Sequence, residues 1–170
     1  MSSFPTSPAT AVTGPLTAAL LNSYKTNIDF LTNTSGTMPY CHAYLSGSQT
    51  LSAGVSAAIT LDGEIKDTDS MHTGSNSFFT VNTAGLYLVI AEIQFPSTAS
   101  GNDFVTILNG VNVMAGDNTG AIAASHRLQV TAFVQCAVSD TLSMKGLSTA
   151  GGALTAGSGA TFLQAKWMCL

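Results

Sequence analysis

At 170 residues the chain has the size of a single domain. Its charge is sparse: 5 Lys and Arg with 9 Asp and Glu make up 8% of the sequence and give a net charge of −4, while hydrophobic residues reach 45%. Soluble domains ordinarily carry about 25% charge, so this surface has to be built from Ser, Thr, Gly, Asn and Ala, a composition suited to a protein largely covered by copies of itself or by partners. The acidic balance removes the cationic footprint that nucleic acid requires, and no apolar run approaches the roughly 20 residues of a membrane span. The opening Met1-Ser-Ser-Phe-Pro lacks the basic and apolar parts of a signal peptide, so the expectation is synthesis in a cytosol with neither nucleic acid nor membrane as partner.

Residues 1–13, with Pro5 and Pro8 among Ser, Thr and Ala, read as an extended arm that orders only against something else. From Gly14-Pro15 to about Asn33 the pattern becomes helical: Pro15 suits a first helical position, and Leu16, Leu20, Tyr24, Ile28 and Leu31 form one apolar stripe. That stripe needs cover, from a short helical bundle around a symmetry axis, from the body, or from a partner.

After Thr34-Ser-Gly-Thr37 the period changes to two. In His126–Val138, Leu128, Val130, Ala132, Val134, Cys136 and Val138 share one face, opposite Gln129, Thr131, Phe133 and Gln135, which predicts a half-buried strand. Val55, Ala57, Ile59 and Leu61 alternate in the same way. So do Tyr87, Val89, Ala91, Ile93 and Phe95, and there Leu86, Leu88 and Ile90 make the opposite face apolar too, predicting cover on both sides. Gly- and Asn-rich turns separate these runs. Asn109-Gly110 is the clearest hairpin signal, read as a type I′ turn. About eight or nine short strands favour a sandwich or jelly roll, with 150–159 as a loop before a last strand at Thr161–Met168.

Three segments in order carry a family resemblance. Phe79-Thr-Val-Asn-Thr-Ala-Gly-Leu-Tyr87 resembles the strand, turn and Gly-x-Tyr signature of the jelly-roll family that includes the complement globular head and tumour necrosis factor. Leu128 to Leu142 is similar to its apolar strand, Gly-Asp turn and following strand, with Ser139-Asp140 in place of Gly-Asp, and Ala160-Thr-Phe162-Leu163 to its closing strand. His42-Ala-Tyr-Leu45 would then be the first strand. The resemblance implies an all-β jelly-roll sandwich over residues 38–170, with Gly85 and Tyr87 as structural residues and a homotrimer whose sheets meet around a threefold axis. Within residues 1–37, Gly14 to Leu31 resembles the short helix that precedes such domains in many bacteriophage virion proteins.

Chemistry-bearing patterns are scarce. His42, His72 and His126 lack metal-ligand spacing and read as surface or interface residues. The acidic run Asp62 to Asp69 departs from a calcium loop and reads as a solvated turn, with calcium the alternative. Cys41, Cys136 and Cys169 are odd in number and far apart, so buried free thiols are expected rather than disulfides or zinc. Ala156-Gly-Ser158-Gly-Ala lacks nucleophile-elbow spacing, and no phosphate or dinucleotide glycine motif occurs, so neither an enzyme nor a cofactor is expected. Phe162 and Trp167 fall on opposite faces of the last strand, so at most one points inward. The other is an interface candidate, as is Phe133. The combined expectation is a capsid decoration or head-fibre protein of a phage virion assembled in the host cytoplasm. Its stripe residues Leu16, Leu20, Tyr24, Ile28 and Leu31 would attach it to other virion proteins, and the alternative is a tail-associated head that grips a host-surface glycan or protein.

Overall fold

The computed structural model of the chain describes residues 38–96, 101–120, 122 and 124–169, together with Leu21, Asn22 and Tyr24. Two units are present, Met1–Thr37 and Met38–Leu170. In the first, Leu21, Asn22 and Tyr24 are helical. The arm and the remainder of the expected helix, including Leu16, Leu20, Ile28 and Leu31, lie outside the described residues.

The second unit is all β. Its strands are β1 (Tyr40–Tyr44), β2 (Thr50–Leu51), β3 (Ala57–Ala58), β4 (Gly63–Asp67), β5 (Phe78–Thr80), β6 (Gly85–Phe95), β7 (Asp103–Asn109), β8 (Asn112–Thr119), β9 (His126–Cys136), β10 (Thr141–Ser148), β11 (Gly152–Ala153) and β12 (Phe162–Cys169). One five-stranded sheet runs β4-β1-β12-β6-β9. The other runs β3-β10-β7-β8 with β5 also on β10, and β11 pairs with β2. Each pairing is antiparallel.

Period-two alternation explains the sandwich. Tyr87, Val89, Ala91, Ile93 and Phe95 of β6 are fully buried, and Leu128, Val130, Val134 and Cys136 of β9 continue their face across the sheet. Val105, Ile107, Leu142 and Met144 close the core from the other sheet. Each large side chain so buried contributes about 1.5–3 kcal/mol before the entropy of ordering it.

Gly85 opens β6 at φ 147°, a backbone that side chains rarely adopt. The Tyr87 hydroxyl donates to the Thr83 carbonyl at 2.7 Å, and the Trp167 indole N–H donates to the Ala84 carbonyl at 3.1 Å. The Gly-x-Tyr turn is thus pinned from two sides.

Several expectations are corrected. The run from Val55 to Leu61 is a strand only at Ala57–Ala58, because only these two residues pair with β10 and the chain enters the run from a turn at Ala53-Gly54; Val55 is exposed while Ile59 and Leu61 still reach the core. The acidic run is an edge strand, β4, and not merely a turn: Asp62 lies just before it and accepts the Ser46 N–H, which holds its carboxyl below the usual range, and Asp67 accepts N–H groups of Asp69 and His72. The 150–159 loop contains β11. Val138 is exposed beyond the end of β9.

The hairpin between β7 and β8 turns at Gly110-Val111, since Asn109 pairs with Asn112 and only Gly110 has positive φ. A glycine at the first central position is the type II′ pattern, so type I′ does not hold. His42 and His72 are buried rather than superficial; the His72 ring stands edge-on to Phe79. Cys41 and Cys136 are buried, but Cys169 is exposed.

Candidate assembly face

Apolar side chains that the core does not use stand on the face of the five-stranded sheet turned away from it. Register fixes its rows. Leu88 of β6 lies between Lys166 of β12 and Phe133 of β9; Ile90 lies between Gln164 and Thr131, and Leu86 pairs with Gln135. Leu86, Leu88 and Ile90 are half-buried, whereas Phe133 is 66% exposed and Met168, at the β12 irregularity, 44%. The predicted cover over this end of β6 is therefore partial within the described residues.

Farther along β6 the face becomes polar. Glu92, nearly buried, accepts from Arg127 Nη1 at 3.2 Å and from Gln129 Nε2 at 3.3 Å, so its charge is compensated on the sheet surface. Toward β1 the row from Lys66 through His42 to Gln164 borders Phe162. The Phe162 and His42 rings lie 5.2 Å apart and tilted, and Gln164 Nε2 sits 3.0 Å from His42 Nδ1. Burial holds His42 below the ordinary imidazole value, only partly offset by a backbone hydrogen bond at Ser158.

The sequence-predicted residues therefore divide. Phe133 stands on this face. Phe162 shares it but is almost covered, beside His42. Trp167 is removed from the interface set, because it packs inside the sandwich against the Gly85 turn. Gly85 and Tyr87 build that turn, while Asn109 ends β7 and Gly110 opens the β7–β8 turn. Of the residues on this face, Met168 and the Glu92–Arg127–Gln129 group were missed; Glu92 amid the apolar run Leu86–Ile93 was the available signal for the latter.

A second apolar patch lies on β8, an edge strand of the other sheet, where Val111, at its turn, is 91% exposed, Val113 62% and Met114 40%. Among the described residues no three His, Cys, Asp or Glu side chains gather as metal ligands.

No protein-family model and no curated protein sequence matches the chain. Solved structures do. The globular domain of zebrafish complement 1qA protein superposes with a TM-score of 0.59 at 11% identity, over 76% of this chain and 97% of that one. Murine APRIL gives 0.60 at 12% over 77% and 99%. The tumour necrosis factor Eiger from S. frugiperda gives 0.56 at 14% over 77% and 94%. Such a likeness at such identities establishes architecture: residues 38–170 form a jelly roll of the complement globular-head and tumour-necrosis-factor type.

Proposed function

We propose that the chain is a non-enzymatic structural subunit, a homotrimer through its jelly roll, that serves as a capsid decoration or head-fibre protein of a bacteriophage virion assembled in the host cytoplasm. The observation that carries the trimer is the pair of unlike apolar patches, the Phe133–Leu88 face and the Val111–Val113 edge. A closed threefold ring needs a heterologous contact, in which each copy offers two different surfaces to its neighbours. A chain with only 8% charged residues has a charge-poor surface, which supports a life inside an assembly. The virion assignment is supported by the N-terminal resemblance and by the apolar stripe that residues 1–33 would bring to an attachment site.

A tail-associated receptor-binding head is the second reading. It is favoured by a polar concavity of about 410 Å³ between the β7–β8 and β9–β10 turns, large enough for part of a glycan.

The test combines two measurements. Light scattering on residues 38–170 should give a trimer mass, and a monomer mass at micromolar concentration would reject the assembly. Antibody labelling of intact particles should mark the capsid; marking of the tail tip would move the protein to the second reading, and no labelling would reject both.

A further inference from the structure

The sequence contains one Asn-Gly pair, Asn109-Gly110, at the end of β7. Asn-Gly is the dipeptide most open to spontaneous ring closure, because glycine has no side chain to obstruct attack by its own backbone nitrogen. Closure needs that nitrogen to leave its hydrogen bond and the asparagine carboxamide to rotate toward it. Both groups are held. The Gly110 N–H donates to the Thr141 carbonyl at 2.8 Å, and Asn109 Nδ2 donates to Asp140 Oδ2 at 2.9 Å. The same Oδ2 accepts the Ala137 N–H at 3.0 Å, which fixes the carboxylate in the β9–β10 turn. These two bonds keep Asp140 below its ordinary pKa and hence ionised. Its charge also opposes deprotonation of the nearby Gly110 amide.

We propose that Asn109 is a modification site, a deamidation centre restrained by Asp140, and that its conversion to a carboxylate uncouples the β7–β8 turn from the β9–β10 turn. In the step, a bond forms between Gly110 N and Asn109 Cγ while the Cγ–Nδ2 bond breaks and ammonia leaves with the Gly110 amide proton. Water then opens the resulting imide to aspartate or isoaspartate. The net exchange is water in and ammonia out. Where an amide donor faced Asp140 at 2.9 Å, a second carboxylate now faces it, and like charges at that separation repel. The polar concavity between the two turns gains a negative charge as its two rims are driven apart.

The experiment follows the mass of the Asn109 peptide during incubation of the full chain in mildly alkaline buffer, native and in concentrated urea. Native wild type is expected to deamidate roughly ten-fold or more slowly than the urea-unfolded chain, as loss of a hydrogen bond to a charged group implies. Asp140→Ala should recover much of that difference in the native state and leave the urea rate unchanged. Equal native and urea rates for wild type, or a native rate untouched by Asp140→Ala, would overturn the proposal. Melting of Asn109→Asp against Asn109→Ala gives a separate reading. The aspartate should melt lower, because it adds repulsion to the lost bond, and an aspartate as stable as the alanine would also overturn the proposal.

Discussion

Replacing Gly85 by alanine adds one methyl group at the tightest point of the fold. Its Cβ would run into the Trp167 indole nitrogen and lie 2.5 Å from the Cys169 carbonyl oxygen. Holding a side-chain-bearing residue at φ 147° costs about 1–3 kcal/mol. Displacing Trp167 in a filled core costs about 1–3 kcal/mol more, and its bond to Ala84 contributes about 1 kcal/mol that would be lost. The sum, about 3–7 kcal/mol, is a large part of the roughly 5–15 kcal/mol that holds a domain folded. Gly74→Ala is the matched control: its φ of 60° is also positive, but no heavy atom lies within 4 Å, so only backbone strain of about 1–2 kcal/mol applies. Thermal melts by circular dichroism, with emission of the single tryptophan as a local probe, should place Gly85→Ala more than about 10 °C below wild type and well below Gly74→Ala. If the two variants melt within about 2 °C of each other, the packing of Trp167 on Gly85 is not what the turn requires.

Phe133→Asp should abolish the trimer while leaving the melting of the isolated domain nearly unchanged, since the ring is 66% exposed and its burial between copies is worth on the order of 2 kcal/mol per contact; light scattering across a dilution series reads this out. His42 has a folded pKa below its unfolded 6.5, so the unfolded chain takes up the proton first; stability should fall as the pH drops below about 6.5 and level off once the folded group titrates, and His42→Gln should flatten that part of the profile. In the native protein only Cys169 should react rapidly with a thiol reagent, because Cys41 is fully buried and burial pushes Cys136 up to about 11. Deleting residues 1–33 should prevent incorporation into particles without lowering the melting temperature of the jelly roll, and Ser158→Ala, an exposed change, should do neither.

The elements most legible in the sequence were those whose two faces differ. β9 reads directly because Leu128, Val130 and Val134 alternate with Gln129, Thr131 and Gln135, and the same alternation placed Phe133 outward. Gly85 and Tyr87 were legible through the resemblance of Phe79–Tyr87 to a Gly-x-Tyr turn, and in the structure the positive φ of Gly85 and the Tyr87 hydroxyl bond to Thr83 give that signature its physical reason. Short edge pairings were not: β2, β3 and β11 have two residues each, too few for a period, and they exist only because distant strands meet. The acidic β4 hid because its polar residues imitate a turn, while its pairing with β1 is a tertiary contact. The inward position of Trp167 could not be chosen over that of Phe162 from parity alone, which separates the two faces without saying which is the core.

β12 is the last strand in sequence but lies in the middle of its sheet, between β1 and β6. Gln164 meets His42 across 122 residues of chain, and without β12 the sheet is two fragments with nothing to join them. The sheet therefore cannot close on a growing polypeptide until residues up to Cys169 have cleared the ribosome. So many non-local pairings place folding in the slow regime of about milliseconds to seconds. Until β12 inserts, the edges of the apolar strands Leu86–Phe95 and Tyr40–Tyr44 that it will cover are unpaired, the condition under which unfinished sheets are open to aggregation.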